Sequence, residues 1–247
     1  MFVCEKCGCN DKRYIGVRNG KEYCRRCISF SAKKAVQMPI KLNEGLVENL
    51  TYSLSQEQLD ISTKTKEAIG ERIETKEITL KFKDSDIDVK VKSKVIYTEF
   101  DMADNLSKGR QVGFCIPRRD VVIELEDRIK SAFPQSRVIS VYGGHTKELE
   151  GDIILLTTHQ LYRYKNYFDL LIIDETDAFP FSNNELLMEM FVRSIRGNYI
   201  MMSATPLKWM IDRIKKENGL YLRLMKRYHG HPLPVPKVVI YPYFKSL

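Results

Sequence analysis

Beyond Gly109 the chain alternates short, nearly continuous apolar runs with longer stretches whose apolar positions return every three to four residues. The runs at 112–116, 137–142, 153–157, 170–173 and 199–202 have strand length and lie between polar turns, which predicts strands. The stretches between them predict helices over 120–133, 183–195 and 207–217, with a shorter helix after Thr157. A strand that is apolar throughout has both faces buried. Such strands alternating with helices predict an α/β fold, a parallel sheet with helices on both faces.

The front of the chain is patterned differently. Ser55 with Gln58 three residues on makes a capping box, which predicts a polar helix over 56–73. Ile78, Leu80 and Phe82 alternate with polar neighbours. Ile87, Val89 and Val91 do the same beyond Lys83-Asp84-Ser85-Asp86, so the segment 76–96 predicts a β-hairpin. The expected organisation is a small unit over 1–41, a connector over 42–60, the sheet-bearing lobe over 61–231 and a proline-spaced exit tail over 232–247.

Charge separates these regions further. The net charge is +8, which favours a polyanionic partner such as nucleic acid over a merely lysine-rich surface only when motifs agree. Residues 1–41 carry ten Lys or Arg against three Asp or Glu. No run of about 18 apolar residues predicts a membrane span, and Met1-Phe2-Val3-Cys4-Glu5-Lys6 is not the start of a signal peptide. The expected compartment is the cytoplasm, where paired cysteines point to metal or catalysis more than to disulfides.

Residues 1–41 also hold five of the six cysteines. Cys4 and Cys7 form one Cys-x-x-Cys turn, Cys24 and Cys27 a second, with 16 residues between. That is the spacing of a four-thiolate zinc ribbon, the alternatives being a redox pair or chance clustering. Tyr14 to Val17 and Glu22-Tyr23 are the predicted hairpin strands, with Asn19-Gly20 as their turn. Four thiolates leave no position open for water, so the expected role of Zn²⁺ is structural. Arg13, Arg18, Lys21, Arg25 and Arg26 surround it, either as phosphate contacts or as a solvated basic face. Cys9 is a spare thiol near the site that could substitute for Cys7, and Cys115 sits inside a strand as packing.

In the lobe, four apolar residues from Leu170 lead into Asp174-Glu175-Thr176-Asp177. Acids at the carboxyl end of a parallel strand stand where such sheets bind ligands. Ser203-Ala204-Thr205-Pro206 follows the next strand, Pro117-Arg118-Arg119 follows the strand ending at Ile116, and Thr157-Thr158-His159-Gln160 ends another. Their order and placement resemble motifs Ia, Ib, II and III of superfamily 2, DEAD-box-like helicases, and so imply a RecA-like lobe.

More closely, the chain resembles the ComFA family of competence DNA-uptake helicases. The resemblance rests on the cysteine unit, on the segment from Tyr52 to Gln58, on Ile172 to Phe181 and on His229-Gly230-His231-Pro232-Leu233-Pro234. It implies an ATP-dependent translocase on single-stranded DNA, working with other competence proteins and at the inner face of the membrane through them. It further implies that Asp174 binds Mg²⁺ and Glu175 serves as catalytic base. By the same resemblance Ser203, Ala204 and Thr205 couple nucleotide state to DNA. Pro117, Arg118, Arg119, Gly143, Gly144, Thr157 and Thr158 would line the DNA track.

Two family parts are expected to be missing. No Gly-x-Gly-Lys-Thr occurs, and the hairpin-like segment stands where it belongs. Nothing in the chain resembles an arginine-finger motif or a second lobe. A truncated helicase impaired in ATP hydrolysis is therefore one expectation, and a non-catalytic module that binds DNA or partners is the other.

Overall fold

The computed structural model describes residues 2–30, 35–36, 54–71, 77–82, 102–103, 105–106, 108–216 and 219–224. At the front, β1 (Ile15–Arg18) and β2 (Lys21–Cys24) pair antiparallel. Asn19 and Gly20 join them at φ 50° and 72°, the left-handed turn that Asn-Gly tolerates at least cost. The two Cys-x-x-Cys turns flank this hairpin.

A helix α1 (Gln56–Glu71) follows, opened by the expected capping box. Gln58 N donates to Ser55 Oγ, and Ser55 N donates to Gln58 Oε1 at 3.0 Å. The remaining strands are β3 (Glu77–Phe82), β4 (Val112–Ile116), β5 (Val138–Val141), β6 (Ile153–Thr157), β7 (Phe168–Ile173), β8 (Ile195–Ser203) and β9 (Leu220–Leu224). They form one seven-stranded sheet in the order β5-β6-β4-β7-β8-β3-β9, every pairing parallel. Between them run α2 (Arg119–Ala132), α3 (Glu185–Ser194) and α4 (Lys208–Lys216), plus a 3-10 turn at Thr158–Arg163.

Alternate residues of each strand enter opposite faces. Phe114, Ile153, Leu155, Leu170 and Ile172 pack with Val122, Leu125 and Ile129 of α2. Cys115, Ile154, Leu156, Leu171 and Ile173 pack with Leu187, Met190 and Phe191 of α3 and with Met210 of α4. This is the doubly covered α/β sheet expected from the apolar runs. Each such side chain contributes roughly 1.5–3 kcal/mol by leaving water. No helix among the described residues is long and apolar enough to cross a membrane.

The hairpin expectation for 76–96 needs correction. Glu77–Phe82 is a strand, but it lies between β8 and β9 and pairs parallel with both. With both edges taken, it has no free side for an antiparallel partner. The second expected arm, 87–91, lies outside the described residues, as do 37–53 and the tail from 225 onward.

Candidate metal centre and sheet-edge site

The sulfurs of Cys4, Cys7, Cys24 and Cys27 all lie within 4.8 Å of one another, and all four residues are buried. Cys4 Sγ is 3.9 Å from Cys27 Sγ, and Cys7 Sγ is 3.8 Å from Cys24 Sγ. Sulfurs at 2.3 Å from a tetrahedral ion stand about 3.8 Å apart, so the four positions fit one closed site. Packed this closely, the thiols cannot all ionise unaided. Cys27 is pushed far up by Cys4 and Cys7, while Cys4 is held low by its side-chain contact with Cys27. A dication removes that conflict. Cys9 is buried beside the centre, and its carbonyl accepts from Cys4 N at 3.0 Å, which orients the first turn.

This ribbon is docked on the lobe. Arg26 Nη1 meets Glu189 Oε1 of α3 at 3.0 Å. Arg193 Nη2, also on α3, donates to the Glu5 carbonyl at 2.9 Å. Phe30 packs on Tyr162 of the 3-10 turn with ring centroids 5.0 Å apart. Val36 bridges to Tyr164, its N–H donating to the Arg163 carbonyl. Two of the five basic residues singled out in the ribbon are thus engaged within the protein, Arg26 with Glu189 and Arg13 with Asp11. Arg18, Lys21 and Arg25 are exposed.

The lobe's carboxyl edge gathers the other expected residues. Across the sheet order, β5 delivers Gly143 and Gly144, β6 delivers Thr157 and Thr158, and β4 delivers Pro117 to Arg119. Next, β7 delivers Asp174 and Glu175, and β8 ends in Ser203 with Ala204 and Thr205 beyond it. Asp174 is buried, its N–H donating to the Cys115 carbonyl at 3.0 Å and its Oδ1 accepting from Glu175 N at 2.8 Å. Glu175 sits at φ 55°; the other non-glycine residues described with positive φ, Asn19, Asn166 and Asn183, are all asparagines. A glutamate in that region costs roughly 1–3 kcal/mol, strain of the kind concentrated at functional sites.

The sequence reading missed Asp177. Its carboxylate accepts from Ser203 Oγ at 2.7 Å and from Thr205 Oγ1, while Thr205 N donates to Ser203 Oγ at 3.0 Å. The Asp-Glu turn and the Ser-Ala-Thr turn are therefore tied by one carboxylate. The signal was the acid three residues after Asp174, but its partners lie 26 and 28 residues away. The expected DNA track is also uneven. Arg118, Arg119, Gly143 and Gly144 are exposed, whereas Pro117, Thr157 and Thr158 are buried. The two threonines extend the apolar environment of β6, so their side chains do not reach a surface ligand in this conformation.

No protein-family model matches the chain. It is 30% identical over 249 aligned residues to the competence protein ComFA of Bacillus subtilis strain 168, covering 96% of this chain and 52% of that protein. It is 31% identical over 150 residues to ComFA of Streptococcus pneumoniae R6, covering 60% of this chain and 34% of that protein. The chain thus spans about half the length, or less, of the curated relatives it matches. Among solved structures, the UvsW helicase of bacteriophage T4 aligns with TM-score 0.49 at 9% identity, over 72% of this chain and 63% of that one. The C-terminal domain of a "possible DNA helicase" from Lactobacillus plantarum WCFS1 aligns with TM-score 0.43 at 11% identity, over 70% of this chain and 98% of that one.

Proposed function

We propose, from a chain related to the ComFA competence proteins over nearly its whole length, that this protein grips single-stranded DNA as a zinc-bearing helicase lobe of the DNA-uptake apparatus. The observation that carries the reading is the order of loops along one sheet edge. Exposed Arg118, Arg119, Gly143 and Gly144 lie on the β5-β6-β4 side, and Asp174, Glu175 and Ser203 lie on the β7-β8 side. One side offers cations and open backbone to a phosphodiester chain. The other offers the carboxylates of a Mg²⁺-nucleotide site, tied by Asp177 to the turn beyond β8. The metal held by the four cysteines is Zn²⁺, because a soft all-thiolate set with tetrahedral spacing suits it. Other DNA-uptake proteins are the expected partners.

This chain alone is not expected to hydrolyse ATP. A bound Mg²⁺-nucleotide would supply the phosphoryl group and the charge that Asp174 complements. A triphosphate needs successive backbone N–H groups and a lysine to cradle it. In the register, Lys81 lies opposite Ser203, so β3 ends beside the Ser-Ala-Thr turn. From Phe82 the sequence continues as Lys83-Asp84-Ser85-Asp86, with acids in place of glycines. We therefore expect DNA binding without DNA-stimulated turnover, and no change in residual rate in Glu175→Gln.

Titration of the full chain with labelled single-stranded DNA at rising salt tests the reading. Affinity should fall steeply with salt, and Arg118→Ala should lower the log–log salt slope by about one. Absence of binding at low salt would overturn it. Robust ATPase activity abolished by Glu175→Gln would overturn the non-hydrolysing part and leave DNA binding standing.

A further inference from the structure

Beside Arg118, Arg119 and the two glycines stand two rings, Tyr142 and His145, that backbone contacts to DNA leave without a role. Tyr142 and His145 stack with ring centroids 4.9 Å apart and planes 16° from parallel. The Arg119 guanidinium lies 5.0 Å from the centre of the Tyr142 ring. Tyr142 is half-buried, while His145 and Arg119 are exposed. An exposed imidazole ordinarily samples several rotamers; this one is fixed three ways. Its ring lies on Tyr142, its Nδ1–H donates to the Ser140 carbonyl at 2.8 Å, and its backbone exchanges hydrogen bonds with Tyr142 at 2.9 and 3.2 Å.

The glycines inside this turn are informative for different reasons. Gly144 has φ 85°, which itself calls for glycine. Gly143 has no such φ, and a side chain there would meet nothing within 4 Å. Neither a positive φ nor crowding by the described residues asks for glycine at 143. Glycine at such a place lets a ligand approach the backbone closely. A turn with two exposed glycines beside a fixed stack whose outer ring, His145, is exposed matches one nucleotide: phosphate against the glycine backbone, base against the ring.

We infer that His145, backed by Tyr142 and Arg119, is a stacking platform for an unpaired base of single-stranded DNA. The inference rests on the DNA-binding reading above and adds a contact to the base where that reading has only contacts to the backbone. Tyr142 supplies a firm underside, and Arg119 adds positive charge at the ring without depending on base identity. Stacking of this kind tolerates every base, since each has a π-face.

The test compares the full chain on an oligothymidine of about 16 nucleotides with an abasic strand of equal length. The wild type should prefer the base-bearing strand. His145→Ala should lose about five- to hundred-fold in affinity for it, the effect of removing one stacked base, with abasic binding unchanged. His145→Phe, which restores a ring, should recover most of the loss. Equal affinity of the wild type for both strands, an equal loss on both strands in His145→Ala, or no recovery in His145→Phe would overturn the platform. In each of these cases DNA binding itself survives; no binding of either strand would overturn the DNA reading and the platform with it.

Discussion

Among residues 2–30 the buried positions are Cys4, Cys7, Cys9, Gly16, Cys24 and Cys27, while Val17 and Ile28 are 68% and 72% exposed. In the lobe, by contrast, every residue of β4, β5 and β6 is buried, and nearly all of them are apolar. The ribbon has almost no aliphatic interior, so the metal proposed for its four cysteines would supply the cohesion that hydrocarbon supplies in the lobe. Yet its cysteines belong to the same packed cluster as Leu187, Met190 and Phe191 of α3. Two regions with different internal chemistry therefore share one interface, and perturbing either tells how far they are independent.

The largest effect should come from the metal. Structural zinc contributes roughly 10–16 kcal/mol to such modules, so Cys24→Ser should abolish stoichiometric zinc and unfold the ribbon. The lobe should stay folded with its melting temperature lowered by only a few degrees, as expected for losing about 1–2 kcal/mol of packing. Metal analysis beside calorimetry checks both; a lobe that unfolds together with the ribbon breaks the distinction. Next in size is Ile172→Ala in β7, which should cost about 2–5 kcal/mol in denaturant titration. The ribbon of that variant should still hold zinc against a chromogenic chelator under conditions where the lobe is half unfolded.

Smaller effects sharpen the contrast. Both regions place residues at positive φ, and among those described Glu175 of the lobe is the one that is neither asparagine nor glycine. Glu175→Asn should therefore stabilise the lobe by about 1 kcal/mol, visible as a raised melting temperature. An unchanged or lowered value would mean that Glu175 gains more from its surroundings than the backbone loses. Least of all, Arg26→Ala removes a partly exposed ion pair worth about 0.5–1 kcal/mol. Zinc content should not change, while proteolysis just after Cys27 should quicken. Loss of zinc in that variant would mean that the interface, not the metal, holds the ribbon together.

The difference between the regions also governed what could be read beforehand. Apolar runs located β4 and β6 to the residue, because full burial leaves a continuous signal. The cysteine spacing likewise located the cluster of four sulfurs that could hold a metal, since two Cys-x-x-Cys turns at this separation can be brought to one point by a hairpin. The place of β3 was not legible: alternation at Ile78, Leu80 and Phe82 marks a strand but not its neighbours, and those are 122 and 142 residues away. The strand β9 was overlooked, a run of five residues close behind α4. The burial of Thr157 and Thr158 was hidden because a polar residue at a strand end looks the same in sequence whether it faces solvent or core. Asp177 was visible as an acid, but its partnership with Ser203 and Thr205 exists only once two strands lie side by side.

The ribbon's docking has a consequence in time. Arg26 and its partner Glu189 are separated by 163 residues, so a ribosome completes the ribbon long before the surface that receives it exists. At ordinary synthesis rates the interval is on the order of ten seconds. Throughout it, five thiols wait on a nascent chain with no lobe to cover them, exposed to oxidants and to competing metals. If the proposed ion is captured in that interval, the first thirty residues reach α3 already folded; if not, they arrive as a loose, reactive thread.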